Sequence, residues 1–291
     1  MQMQATVVGL GLMGGSIARD IRRTGWADRL VGVESNPAHA AEALARRLTD
    51  VVAPLEEAVR KADIVILATP VDAIVRLLPQ VLDLMPADAV ATDIGSTTLP
   101  AVAAVRDHRR RGRYVAFHPM AGTENAGPAA AADRLFEGKV AILCDTEASD
   151  ADALERLRSL TAALGMRTVQ MDAASHDRHA ARLSHMPHVV AFALALTALQ
   201  EDGGALPDLA GGGFASMVRT ARSGPAMWLP ILLQNRRHVS EALARFTARL
   251  HEFADAIGKG DGDRLRELIA AANAIREALP ATGRPPDLAP E

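Results

Sequence analysis

Up to Asp172 the chain alternates short apolar runs with longer stretches of helical spacing. Residues 63–68 hold four consecutive large aliphatics, Ile64, Val65, Ile66 and Leu67, with no polar position between them. An alternating strand leaves one face to water, so an unbroken run predicts a strand covered on both faces, as in a parallel sheet. Residues 5–9, 29–33, 89–93, 114–117, 140–144 and 167–171 read as further strands. The joining helices are expected over 38–48, 71–84, a stretch ending at Arg109, and 151–164. Parallel strands joined by helices predict an α/β fold with a doubly wound sheet. After Asp172 no strand pattern returns, and helical spacing runs over 173–197, 214–222, 226–257 and 263–279. The expected organisation is a sheet domain over 1–172, an all-α C-terminal domain over 173–280, and a loose, proline-rich tail over 281–291.

The first strand runs into Gly9-Leu10-Gly11-Leu12-Met13-Gly14, and Gly15-Ser16-Ile17-Ala18 opens a helix. GxGxxG carries weight only between a strand and a helix, which is where it stands here. Gly9 permits a tight turn, Gly11 lets the backbone approach a pyrophosphate, and Gly14 lets helix and strand pack closely. The free N–H groups of the helix start then face the phosphates. The second strand ends in Glu34, 20 positions after Gly14, where a carboxylate accepts from a ribose 2′-OH. That carboxylate repels a 2′-phosphate, and Ser35-Asn36-Pro37 brings no arginine to counter it, so NAD is expected in preference to NADP. Thr69-Pro70 and Ile94-Gly95-Ser96 close two further strands at the sheet edge where ligands lie. The expected cofactor-binding set is Gly9, Gly11, Leu12, Met13, Gly14, Glu34, Thr69, Pro70 and Ser96.

At 291 residues, 49% hydrophobic and 23% charged, the chain has an ordinary globular composition with room for two cores. A net charge of −3, with acids and bases interspersed, offers no basic tract for nucleic acid. The single cysteine, Cys144, excludes an internal disulfide and a cysteine-based metal site, and reads as a small buried strand residue. Met1 to Gln4 lacks a basic n-region, and the apolar stretch 189–199 is too short for a bilayer. A cytoplasmic location is therefore expected, with no membrane and no nucleic-acid partner. The Ala- and Leu-rich faces from Val189 onward exceed what one small bundle covers, which predicts a homodimer through the helical domain.

The candidate chemistry begins at His118-Pro119-Met120-Ala121-Gly122-Thr123-Glu124, after the apolar run 114–117. A histidine projecting from a strand end into a cleft has the form of a general base; a histidine that merely caps a strand would look the same. Glu124 reads either as a pocket residue that orients His118 or as a surface acid. Arg219 follows a three-glycine stretch, Gly211 to Gly213. A guanidinium pairs bidentately with a carboxylate, and Gly212 is the candidate for close backbone approach to the ligand. His185 and His188 flank Pro187 at a helix start facing a cleft; no further ligand at suitable spacing joins them, so no metal is expected. His176, Asp177 and His179 read as mostly solvated.

On these residues the chain resembles the prephenate/arogenate dehydrogenase family. Six motifs stand in order: GLGLMGGS at Gly9, ATPVDAI at Ala68, TDIGS at Thr92, HPMAGTE at His118, SHMPH at Ser184 and GGGF-x4-R ending at Arg219. The resemblance implies a Rossmann-type sheet domain and oxidative decarboxylation of prephenate to 4-hydroxyphenylpyruvate with hydride transfer to NAD, in tyrosine biosynthesis. Arogenate, or use of both substrates, is the alternative. By the same resemblance His118 is the catalytic base with Ser96 as its companion, and Arg219 binds the ring carboxylate. His188 lines the substrate site with His185 one turn earlier, Glu124 lies near the pocket, and Trp228 accompanies the arginine. Ser96 reads equally as an N-cap for a helix beginning near Thr97. The family often has lysines where this chain has Thr98 and Asn125, a departure that bears on side-chain recognition and feedback control. Residues 214–218 hold no acid for the ammonium of arogenate, which favours prephenate.

Two other classes share parts of this pattern. β-Hydroxyacid dehydrogenases have a GLGLMG-type start but rely on a helix lysine, whereas Lys259 here lies between Gly258 and Gly260 and reads as a turn. A redox sensor that binds NAD needs neither the base nor the arginine.

Overall fold

The computed structural model describes residues 2–201 and 209–279; the tail expected over 281–291 lies outside the described residues. Eight strands form one sheet in the order β3-β2-β1-β4-β5-β6-β7-β8. They are β1 (Gln4–Val8), β2 (Arg29–Val33), β3 (Val51–Val52), β4 (Ile64–Leu67), β5 (Val90–Asp93), β6 (Tyr114–Pro119), β7 (Val140–Cys144) and β8 (Arg167–Met171). The helices joining them are α1 (Leu12–Thr24), α2 (Pro37–Ala45), α3 (Leu55–Val59), α4 (Val71–Leu84), α5 (Leu99–Ala104) and α6 (Ala151–Ala163).

The run at β4 behaves as its pattern requires. Ile64 and Ile66 enter one buried cluster with Ile17 and Ile21 of α1 and Leu157 and Leu160 of α6. Val65 and Leu67 enter the other, with Ile74, Leu78, Val81 and Leu82 of α4 and Val102 of α5. Each such side chain contributes about 1.5–3 kcal/mol by leaving water, and both faces of the sheet are closed by helices.

The expectation of a wholly parallel sheet is corrected at β7. Strands β1 to β6 are parallel, but β7 runs antiparallel to β6, with His118 opposite Ile142, and β8 follows β7 in parallel. An antiparallel neighbour needs no crossover helix, so residues 120–139 stay at the carboxyl edge of the sheet and wall the site there. Strand β3 and helix α3, of two and five residues, are too short to carry a period in the sequence. The helix expected to reach Arg109 stops at Ala104.

Beyond β8, α7 (Ala173–Ala180) passes through a π-helical turn, Ala181–His185, into α8 (Met186–Glu201). The combined run Ala173–Gln200 has 28 residues, and an 18-residue window within it has a mean hydropathy of 1.2, long and apolar enough to cross a bilayer by length and composition, with 11% of that window buried. The expectation that no stretch reaches that length is thereby corrected, because the helical run extends N-terminally of Val189 to Ala173. The helix Gly212–Val218, a 3-10 turn Arg219–Arg222 and the helix Pro225–Gln234 follow. Trp228 and Ile231 pack with Val71 at the start of α4, joined by Phe192. The helix expected over 226–257 is interrupted at Asn235 (φ −99°, ψ 21°), after which Arg236–Lys259 begins. The compact units of the chain divide between Val239 and Ser240. In the later unit Asp261 accepts from Arg264 N to cap Gly262–Asn273, and Ile275–Ala278 closes the described residues.

Candidate active site

The glycine loop separates into positions filled by protein and one that faces open space. Gly9 has φ +93°, and a Cβ there would lie 2.7 Å from the Ala68 carbonyl oxygen. A Cβ on Gly14 would lie 2.0 Å from the Gly9 oxygen, so α1 packs onto β1 only without one. Gly11, at the N-cap of α1, has nothing within 4 Å of its Cβ position. A pyrophosphate fits beside Gly11, against the first N–H groups of α1. Glu34 is held across this loop: Oε2 accepts from Leu10 N at 2.9 Å and Oε1 from Asn36 N at 3.0 Å. Each oxygen keeps a lone pair for ribose hydroxyls.

A cleft of about 770 Å³ opens at the carboxyl edge of the sheet. Gly11, Leu12, Met13, Thr69 and Pro70 wall one part. Ser96, His118, Glu124, His188, Arg219 and Trp228 wall the rest. The fold thus brings eleven of the residues singled out in the sequence to one space. Gly9, Gly14 and Glu34 shape the loop beside it without lining it.

Two candidates are not brought there. His185 is 0% exposed, because the π-helical turn carries it under the cleft instead of into it; its Nδ1 accepts from Asn235 Nδ2 at 3.1 Å. Burial pushes its imidazole down to about 4, against the pull of the Asp177 carboxylate. Gly212 is exposed in the first turn of a helix, with nothing within 4 Å of its Cβ position. The glycine stretch therefore starts a helix and makes no close approach to the site.

Glu124 does not orient His118. Its Oε2 accepts from Arg219 Nη1 at 2.7 Å. Its own backbone N–H and that guanidinium hold the carboxyl below the usual range. Ser96 is no helix cap either: α5 begins at Leu99, with Thr98 at the N-cap and no side-chain capping bond. His188 lies against Trp228, ring centroids 3.8 Å apart and tilted by 30°. Its Nδ1 donates to Ser184 O at 2.9 Å, and burial, with Arg219 nearby, keeps the ring below its ordinary pKa.

His118 is 7% exposed. Burial, and then the neighbouring His176 and His185, push its imidazole well below the ordinary value, so it stands neutral and able to accept a proton. Its Nδ1 lies 2.8 Å from His176 Nε2. His176 and Asp177 are 1% and 2% exposed, which corrects the reading of both as solvated; His179 is exposed as expected. A usable signal was present, since Ala173, His176, Asp177 and Ala180 share one face of α7 at helical spacing and all four are buried. Beneath the serine loop, Asp93 accepts from Tyr114 Oη at 2.5 Å and from Gly95 N at 2.9 Å. Burial raises its carboxyl to about 6. Among the described residues no group of three or more His, Cys, Asp or Glu side chains is placed to hold a metal ion. Lys259 is exposed at the end of its helix.

Residues 17–170 match the family described as prephenate dehydrogenase, nucleotide-binding domain, and residues 172–271 match prephenate dehydrogenase, dimerization domain. The prephenate dehydrogenase of Bacillus subtilis is 31% identical over 286 residues, covering 96% of this chain and 77% of that protein. The cyclohexadienyl dehydrogenase of Zymomonas mobilis is 31% identical over 278 residues, 94% of each chain. The crystal structure of prephenate dehydrogenase from Aquifex aeolicus, in complex with hydroxyphenyl propionate and NAD+, has a TM-score of 0.83 at 29% identity, covering 96% of this chain and 98% of that one. The two family matches adjoin where β8 gives way to α7, one taking strands β2 to β8 and the other the helices that follow, and over that whole span the chain belongs to the prephenate dehydrogenase family.

Proposed function

We propose that the protein catalyses the NAD-dependent oxidative decarboxylation of prephenate to 4-hydroxyphenylpyruvate, a step of tyrosine biosynthesis. One cleft is walled both by Gly11, Leu12 and Met13 at the start of α1 and by Ser96, His118 and Arg219, and this shared wall supports the reading. NAD, when bound at the glycine loop, accepts the hydride from the ring carbon that bears the hydroxyl. His118 takes the hydroxyl proton as that oxygen gains carbonyl character, and returns it to the same oxygen when loss of CO2 makes the ring aromatic. No proton is released overall. A positioned base of this kind contributes about 10²–10⁴ in rate. Ser96 donates a hydrogen bond to the same oxygen. Arg219 pairs with the ring carboxylate and sets the angle at which CO2 departs.

Prephenate is favoured over arogenate because Glu124 is the sole acid among the described residues lining the cleft, and Arg219 already engages it. The ammonium of arogenate has no free carboxylate to meet. The Zymomonas mobilis relative is named for a broader activity, which makes use of both substrates the second reading. Steady-state NADH formation with each substrate decides between them: prephenate is expected to win, and a preference for arogenate above about tenfold in kcat/KM, about 1.4 kcal/mol at the transition state, sinks the assignment.

The functional division falls at Asp172, with residues 1–172 holding the cofactor and bringing His118 and Ser96 to the substrate, and 173–280 supplying Arg219 and the surface for a partner. Leu196, Leu199, Leu229 and Leu233 are 59–67% exposed in the region matched to a dimerization domain. A second copy covers them in a homodimer, which sedimentation at micromolar concentration tests; a monomer there refutes it. The reading carries a cytoplasmic location with it.

A further inference from the structure

His118 ends a buried line of hydrogen bonds that starts at a carboxylate. Both oxygens of Asp177 accept backbone N–H groups at the start of α5: Oδ1 from Thr98 N at 2.8 Å and Oδ2 from Leu99 N at 3.2 Å. These are donors that the helix itself cannot satisfy. Oδ1 also lies 2.8 Å from His176 Nδ1. A carboxylate can only accept a hydrogen bond, so His176 Nδ1 carries a proton and is the donor. In a neutral imidazole the other nitrogen is then an acceptor. His176 Nε2 faces His118 Nδ1 at 2.8 Å, with the two rings edge-on at 80° and centroids 5.0 Å apart. His118 Nδ1 must therefore carry the proton, and Nε2 keeps its lone pair as the nitrogen left for the cleft.

We propose that His176 and Asp177 are positioning residues that fix the His118 tautomer, holding its proton on Nδ1 so that Nε2 serves as the base. Neither touches substrate; each acts through the next ring. The logic is that of a carboxylate orienting a catalytic imidazole, lengthened here by one histidine. Asp177 has a second effect, because the N–H groups it caps stand two and three residues after Ser96. One carboxylate thus orders the loop that carries the serine and the ring that takes the proton. The inference rests on His118 being the base.

The test uses the full-length protein labelled with 15N-histidine, since nitrogen shifts report which ring nitrogen is protonated without turnover. The His118 proton is expected on Nδ1 in the unaltered protein. Asp177→Ala removes the acceptor, leaves His176 free to take either tautomer, and spreads the His118 proton over Nδ1 and Nε2. The expected kinetic effect is a kcat loss of about 10²–10⁴-fold with KM for substrate and Kd for NAD near their original values. Asp177→Ala uncaps the start of α5, so a second pair covers its failure to fold. His176→Gln keeps an acceptor for His118 Nδ1 and should retain most of kcat, whereas His176→Leu removes it and should lose activity as Asp177→Ala does. Equal activity of the two His176 variants, or a His118 proton still wholly on Nδ1 in Asp177→Ala, overturns the proposal. His118→Asn separates the two readings: full activity there refutes the base itself, whereas loss there with full activity in His176→Leu refutes only the positioning line.

Discussion

Replacing Gly11 and Gly14 separately by alanine distinguishes a glycine kept for the ligand from one kept for the fold. At Gly14 the new Cβ would lie 2.0 Å from the Gly9 oxygen, 2.9 Å from Ala68 Cβ and 3.1 Å from a Val7 methyl, where carbon contacts prefer about 3.5–4 Å. Gly9 cannot yield, because its N–H is bonded to Val33 O at 2.8 Å and its own Cα faces the Ala68 carbonyl. Such overpacking against fixed backbone costs about 1–3 kcal/mol or more. At Gly11 nothing lies within 4 Å, and φ −70°, ψ −161° is open to alanine. The cost there is an N-cap preference of at most about 1 kcal/mol. Thermal unfolding with and without NAD reads both effects. At 100 times Kd the cofactor adds about 2.7 kcal/mol, about 5–10 °C in Tm for a protein of this size. Gly11→Ala should keep its cofactor-free Tm within a few degrees and lose the NAD shift. Gly14→Ala should lower the cofactor-free Tm itself. A Gly11→Ala protein with the full NAD shift would falsify the placement of the pyrophosphate beside that glycine.

Arg219→Lys keeps the charge but loses the planar fork, and kcat/KM should fall by about 10–100-fold, the worth of one charge-assisted hydrogen bond; an unchanged steady-state value speaks against a carboxylate anchor. His185 is neutral in the folded protein with its pKa at about 4 against an ordinary 6.5. The unfolded chain therefore binds more protons below pH 6.5, and about 3 kcal/mol of stability present above that pH is lost as pH falls towards 4. Urea unfolding across that window should show the loss, reduced in His185→Gln; an identical pH slope in the variant contradicts it. Glu34→Ser removes the charge facing a 2′-phosphate and should raise kcat/KM for NADP relative to NAD, whereas no change in the ratio means the carboxylate does not read the ribose.

The legible part of the fold lay in elements whose length exceeds one period of their own pattern. Helix α4 and strands β2, β7 and β8 stand at the bounds read from sequence, because apolar spacing repeats within each. The direction of β7 was not legible, since an apolar strand reads the same whichever way it runs. Its direction depends on where residues 120–139 travel, and that segment has no period. The break at Asn235 was hidden for a related reason. The apolar spacing continues across it, and the residue leaves helical geometry while its side chain bonds to the Asp177 carbonyl at 2.7 Å and to His185.

The site was legible to the extent that its chemistry sits in loops. Gly11, Ser96, His118 and Arg219 were found because a glycine turn, a strand end or a helix end puts each where a ligand can reach it. His176 and Asp177 were missed because polar residues in a helix's first turns are solvated unless another element covers them, and what covers them is 58 residues away in sequence at His118 and 79 residues away at Thr98. Residue type alone carries no trace of that pairing. The buried face of α7 does, since two alanines flank the polar pair at helical spacing. A polar pair on an otherwise small, apolar face costs stability unless it is satisfied, so such a face asks for partners. Once the strand-end histidine is placed on the neighbouring edge, Asp177 and His176 are the groups that could meet it, and the direction of every proton along the line follows from the carboxylate at its end.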